Sequence, residues 1–185
     1  MKAALALAAL ASAAPALAQE APRACPAAGR VERSAGGPVA YLGAVPGIPE
    51  LCRMKRGDAP EQAFYLAIYA AEWPGAGLAY PVIRAVLHGG KGATGEFITQ
   101  AGPGYEWRDI YVHEGVEEVS LPSGPVRAVR IAHERIGVNG NGYRSVITQW
   151  KELRTGMIVH QEHRHLAGTE APGVEWRALA VAGLE

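Results

Sequence analysis

Between Val126 and Leu166 apolar and polar residues alternate along the chain, interrupted by two short turn-like segments. Val126–Ile136 is a long run with Val129 and Ile131 on one face. Asn139-Gly140-Asn141-Gly142 follows, and Asn and Gly tolerate the left-handed positions of a tight turn. Then come Tyr143–Lys151, the segment Glu152-Leu153-Arg154-Thr155-Gly156, and Met157–Leu166. Two β-branched runs around a polar segment ending in glycine predict an antiparallel hairpin. The whole stretch predicts a three-stranded antiparallel meander.

Upstream, Tyr80–His88 reads as a strand with Pro81 near its start, where a missing N–H is tolerable. Gly89–Gly95 is a flexible turn and Glu96–Gln100 a returning strand. Tyr105–His113 is a further strand, Glu114-Gly115 a turn, Val116–Leu121 a short strand, and Glu175–Val181 a closing one. Asp58–Trp73 supports two readings. Asp58, Pro60 and Glu61 resemble a helix start, with Phe64, Ile68 and Ala71 on one face. Phe64, Leu66, Ile68 and Ala70 also alternate with Tyr65 and Tyr69, as in a strand. The β-rich context favours the strand, with a short helix near 59–72 as the competing reading. The expected fold is mainly β: one domain over 58–185, formed by a curved antiparallel sheet or a partly closed barrel. Residues 19–57 hold one short apolar run, Val39–Leu42, among Gly, Pro and Ala, and are expected to be an irregular N-terminal segment.

The first 18 residues change the expected address. Lys2, the Ala/Leu run Ala3–Ala14 and Ala16-x-Ala18 match the three parts of a secretory signal peptide, with cleavage after Ala18. The run is too short for a stable membrane span, and no later segment is apolar enough for one. A periplasmic or extracellular location follows. Cys25 and Cys52 are the two cysteines, and in an oxidising compartment they are expected to form one disulfide, closing the loop Pro26–Leu51. Basic and acidic side chains balance at 18 each. That balance, without clustered Lys/Arg, excludes a nucleic-acid surface.

From Val119 to Arg164 the order of features carries a resemblance. A strand, the Pro122-Ser123-Gly124-Pro125 break, and Val126-x-Ala128-Val129-x-Ile131 are followed by a strand ending in Trp150. Thr155-Gly156 and Ile158-Val159 complete the pattern. This resembles periplasmic and lipoprotein β-domains of the half-barrel carrier type. The resemblance covers about a quarter of the chain and implies a curved antiparallel sheet and an envelope location. Ser123 and Pro125-Val126 depart from the usual Ala and Thr-Phe. No functional residue is carried over.

Candidate chemistry is sparse. His160, His163 and His165 include three of the six histidines, and imidazole suits zinc or copper. Strand parity places His163 and His165 on one face and His160 with Glu162 and Arg164 on the other. A metal site would therefore use His163 and His165 plus ligands from a neighbouring strand. His113-Glu114 and His133-Glu134 are adjacent pairs that point to opposite faces. No nucleophile elbow, phosphate loop or His-Glu-x-x-His occurs, so catalysis is not the expectation. Trp73, Trp107, Trp150 and Trp176, with Tyr65, Tyr69, Tyr105 and Tyr111, are candidates for lining an apolar pocket. Arg127, Arg130, Arg135 and Arg144 are candidates to receive an anion, or to pair with Glu134 and Glu152. The expected function is non-enzymatic: binding an envelope component, a small apolar ligand or lipid, or a protein partner at an exposed sheet edge. The alternative is a metal-binding protein or metal-dependent enzyme.

Overall fold

A computed structural model describes residues 21–103, 105–140, 142–169 and 173–182. The expected signal peptide, residues 1–18, lies outside them. Eleven strands and one α-helix follow in chain order. The strands are β1 (Gly29–Arg33), β2 (Val39–Val45), β3 (Ile48–Arg56), β4 (Gln62–Tyr65) and β5 (Tyr69–Ala70), then helix α1 (Ala76–Gly89). After it come β6 (Thr94–Gly102), β7 (Tyr105–Leu121), β8 (Gly124–Gly137), β9 (Arg144–Glu152), β10 (Ile158–Ala167) and β11 (Trp176–Ala182). No helix among the described residues is long and apolar enough to cross a membrane.

All eleven strands form one sheet in the order β5-β4-β3-β2-β1-β11-β10-β9-β8-β7-β6. Every pairing is antiparallel. The first and last strands of the chain pair in the middle, and two meanders run outward from them. The sheet is strongly curled but not closed, since the edge strands β5 and β6 do not pair. Their walls nonetheless approach: the Tyr69 and Phe97 rings lie 6.0 Å apart. Helix α1 connects these edges and packs against β5, β6 and β7.

The mainly β fold and the β8–β10 meander agree with the sequence pattern, and two expectations need correction. Residues 80–88 are helical, part of α1, and not a strand. Ala76, Ala79, Ile83, Val86 and Leu87 are buried, a helical spacing that covers one face. Pro81 lies inside this helix, and with the β-branched Val82, Ile83 and Val86 it gives the segment a strand-like composition. Between Asp58 and Trp73 the favoured strand reading holds: β4 and β5 occupy that stretch, and the competing helix near 59–72 is absent. The segment 19–57 is not irregular, because it supplies β1, β2 and β3. In addition, β7 runs unbroken through Glu114-Gly115, which form a bulge where the register slips. The buried His113 holds this bulge, its Nδ1 accepting from the Gly115 N–H at 3.1 Å. A bulge absorbs one residue without ending the pairing.

The β9–β10 hairpin is built by its own polar turn. The Glu152 carboxylate accepts from the Arg154 and Thr155 amides and the Thr155 hydroxyl. Gly156 adopts φ 73°, and a Cβ there would lie 2.6 Å from Arg23 O. Only glycine fits both demands.

That turn feeds a buried cation. Lys151 on β9 is fully enclosed. Its Nζ donates to Gly156 O at 2.7 Å, Leu66 O at 3.0 Å and Ala24 O at 3.1 Å. Three carbonyls match the three donors of an ammonium, whereas a neutral amine has two N–H bonds. Leu66 belongs to the β4–β5 turn, and β4 is six places from β9 in the sheet. One side chain therefore ties opposite walls of the curl. Leu66 and Ala67 are held at φ 55° and 61°, a left-handed conformation costing roughly 1–2 kcal/mol per residue. Ala24 adjoins Cys25, whose sulfur is at bonding distance from Cys52 of β3, with Cα atoms 5.2 Å apart.

Burial pulls the Lys151 pKa from 10.5 down to about 7. In the unfolded chain the proton is held up to pH 10.5, so the folded state binds fewer protons between about pH 7 and 10.5. Stability contributed by this group therefore rises with pH across that window and is lost as pH falls through 7. Replacing Lys151 by Met strands three carbonyls. Urea unfolding of Lys151→Met at neutral pH is expected to show a loss of about 3 kcal/mol. Wild type is expected to gain on the variant as pH rises from 7 to 10. A loss below about 1 kcal/mol would contradict the role given to this residue.

Candidate functional site

The direction of each strand sorts the connections to two ends of the curl. Turns 46–47, 66–68, 122–123 and 153–157 lie at one end, with Lys151 and its carbonyls. Loops 34–38, 57–61, 71–75 and 138–143 lie at the other, with the segment leading into β11. Between them the concave face encloses a cavity of about 430 Å³. Its lining includes Gly36, Trp73, Gly173 and Val174 from the second set of loops, which places the mouth there. Tyr41, Ile158, Ala67 and Ile68 line the deeper part, adjoining the Lys151 cluster. The Ile158 N–H donates across the interior to the Tyr41 phenol oxygen at 3.1 Å.

Six aromatic side chains line the cavity: Tyr41, Tyr69, Trp73, Tyr111, Tyr143 and Trp176. A ladder of rings links neighbouring walls. Trp73 lies edge-on to Tyr69 at 5.4 Å, Tyr69 to Phe97 at 6.0 Å, and Phe97 stacks on Tyr111 at 6.0 Å. Tyr111 stacks on His133 at 4.3 Å, with the planes within 6°. Such pairs fix ring orientation as well as burying area.

A polar cluster sits beneath this ladder. Asp109 is completely buried. It accepts from His133 Nε2 at 2.6 Å, from Arg135 Nε and a terminal nitrogen at 2.7 and 3.3 Å, and from Thr99 Oγ1 at 3.2 Å. Register explains the convergence: Asp109 pairs with Arg135, and Tyr111 with His133. Desolvation acts to raise the Asp109 pKa, but the His133 and Arg135 bonds outweigh it and hold the carboxyl below its ordinary value. Desolvation lowers the His133 pKa, against the pull of Asp109. A neutral His133 that donates from Nε2 presents Nδ1 as an acceptor. Arg135 and His133 both line the cavity, with the Arg135 charge balanced by Asp109.

Two other arginines have no such balance. Arg33 at the end of β1 and Arg56 at the end of β3 both line the cavity, and neither forms an ion pair among the described residues. Arg33 donates to Gly37 O and Gly36 O and lies 5.0 Å over the Trp176 ring. Arg56 lies 4.8 Å over Phe64. Burial, then the Arg56 charge, lowers the Arg33 pKa; burial of its inner side lowers that of Arg56. Both charges act on Tyr41, whose phenol burial pushes up to about 12.

The sequence candidates fall in several places. Tyr69, Trp73, Tyr111 and Trp176 line the cavity. Trp107 packs edge-on to Tyr143, Trp150 packs on His160, Tyr65 packs on Tyr80, and Tyr105 is exposed. Arg144 pairs with Glu134, Arg130 with Glu114, and Arg135 with Asp109. His163 and His165 share a face of β10, opposite Ile147 and Ser145. The Gly173 backbone lies against the His163 ring, leaving no room for a Cβ. His165 Nε2 donates to Gly168 O at 3.0 Å. His160 is on the other face, its Nδ1 donating to Trp176 O at 2.8 Å and its Nε2 3.1 Å from Glu162. Among the described residues no three His, Cys, Asp or Glu side chains form a group that would hold a metal. Arg33, Arg56 and Asp109 are the site residues that sequence reasoning missed, whereas His133 was singled out and Asp109 is the carboxylate it meets. Strand parity within β7 was the available signal for Asp109.

Comparison with protein-family models, curated proteins and solved structures returned no match.

Replacing Asp109 by Asn leaves Arg135 without its counter-charge in a buried place. Denaturant unfolding is expected to show a loss of about 3 kcal/mol at neutral pH. Because the folded pKa is depressed, the Asp109 contribution is present above the ordinary carboxylate value of 3.8 and is lost as pH falls through the folded value. Asp109→Asn should lack that acid-side loss; an acid profile identical to wild type would contradict the arrangement.

Proposed function

We propose that this chain is a secreted or periplasmic binding protein whose curled sheet holds a small amphipathic molecule. The observation that carries this reading is the roughly 430 Å³ cavity on the concave face, open at one end and lined by six aromatic rings. That volume falls within the roughly 300–1,000 Å³ range of sites that enclose drug-sized ligands. Aromatic and aliphatic walls with a few placed polar groups fit a molecule with an apolar body. Ser145, Gln149 and Gln161 supply such groups along β9 and β10.

A binding role also fits the state of the polar residues. His133 is committed to Asp109 and makes no hydrogen bond to a serine, threonine or cysteine among the described residues. Both cysteines are joined to each other. Nucleophile and base are therefore not assembled in the way that covalent catalysis needs. The secreted address rests on the signal-like opening stretch and on the disulfide, which persists in oxidising compartments. The half-barrel carrier resemblance of residues 119–164 points the same way.

Titration with the neutral probe N-phenyl-1-naphthylamine tests the reading. Its fluorescence should rise and saturate at one site per chain. Ile147→Trp places a bulky ring in the cavity wall and is expected to weaken the probe by at least about tenfold, or 1.4 kcal/mol. Circular dichroism should show that the sheet is retained. No saturable signal in wild type, or equal binding by a folded variant, would contradict the proposal.

A further inference from the structure

We infer that the occupant of the cavity is an organic anion: an apolar body carrying one carboxylate or phosphate, seated between Arg33 and Arg56 at the mouth. This rests on the binding reading above and adds the chemistry of the ligand. Four observations converge on it.

The lining carries three arginines and no carboxylate side chain. Arg135 is neutralised by Asp109, which lies beneath it at 2.7 Å. Arg33 and Arg56 remain, close enough for the Arg56 charge to lower the Arg33 pKa. Two guanidinium groups on one lining, neither in an ion pair among the described residues, repel each other, and an anion between them relieves that repulsion.

Two acids near the pair are engaged elsewhere. Glu32 pairs with Arg30. Glu72, whose charge acts on Arg56, accepts from Gln62 Nε2 at 2.7 Å and makes no ion pair with either arginine.

Arg33 is pre-positioned. Two backbone carbonyls of the β1–β2 loop and the Trp176 face fix its guanidinium. A planar guanidinium has five N–H donors, so further donors remain for a bidentate acid group.

A buried donor lies beside the pair. Tyr41 is 2% exposed, and its phenol oxygen accepts from the Ile158 N–H. Among the described residues nothing accepts its own O–H proton. Both arginine charges act on this phenol. An acid oxygen between the arginines would supply that acceptor. The apolar body then extends from Tyr41 toward Ile68, Ile147 and the Tyr69 ring, which line the deeper cavity.

Competition against N-phenyl-1-naphthylamine tests this. Decanoate, decyl phosphate and decan-1-ol would each displace the probe from wild type, from Arg56→Gln and from Arg33→Gln/Arg56→Gln. At least one acid is expected to displace it about tenfold more tightly than the alcohol in wild type. Arg56→Gln should lose most of that preference, and the double variant should lose it to within about twofold, with the alcohol unchanged. Arg56 holds no backbone carbonyl, so the single variant remains interpretable if removing Arg33 loosens the β1–β2 loop. Arg56→Lys should keep part of the preference. Which acid prevails tells a fatty-acid-like ligand from a phosphate-bearing one. Equal displacement by acids and alcohol, or a preference that survives in the folded variants, would overturn the anion site while leaving the cavity reading intact. Absence of any probe binding to wild type would overturn both.

Discussion

Lys151 is the constraint on which the rest of the structure depends. An open sheet of eleven strands has many ways to curl, and its edge strands do not pair to fix one. The single Lys151 Nζ, bonded to Ala24, Leu66 and Gly156 carbonyls, joins the N-terminal segment, the β4–β5 turn and the β9–β10 turn. Hydrophobic burial favours curling in general, but it is non-directional. Three carbonyls around one nitrogen are directional. They also hold the left-handed Leu66-Ala67 turn, which would otherwise relax. With the Cys25–Cys52 bridge beside Ala24, this knot closes one end of the curl and leaves the other open. The cavity is blind for that reason.

The two buried polar clusters divide the interior by role. Around Lys151 a charge is met by backbone dipoles, which hold the architecture. Around Asp109 one carboxylate is met by His133, Arg135 and Thr99, and the result is a rigid wall beneath the aromatic ladder. Neither cluster has a charge left over for a ligand. The surplus lies at the mouth, where the shallow Arg33 and Arg56 make no ion pair among the described residues. The deep charges, by contrast, are compensated by close partners.

The sequence pattern was most informative where several signals agreed. The β8–β10 meander was legible because alternation, an Asn-Gly turn and the Thr155-Gly156 turn agree. Helix α1 was not, because Pro81 and three β-branched residues imitate a strand while the helical spacing of Ala79, Ile83 and Val86 is carried partly by small alanines. In residues 29–56 glycines and prolines sit in the turns and also inside the strands, as Gly29, Gly43 and Pro49 do, so they mask β1 to β3. The bulge at Gly115 reads as a turn because both need the same residue type. The site was less legible than the fold. Arg33, Arg56 and His133 come from strands far apart in the chain, and only the curl brings them to one cavity. Lys151 shares its parity with Ser145, Ile147 and Gln149, a mixed face that does not announce itself as interior.

The account stands or falls on whether the curl is a container. Native mass spectrometry of the protein, purified gently with its disulfide intact and without added lipid or detergent, addresses this directly. The account expects a fraction of the chains to carry one small molecule, released on collisional activation and detected in negative-ion mode as an organic acid. Chains found only at the bare polypeptide mass, together with failure to take up decanoate or decyl phosphate at stoichiometric levels, would contradict it.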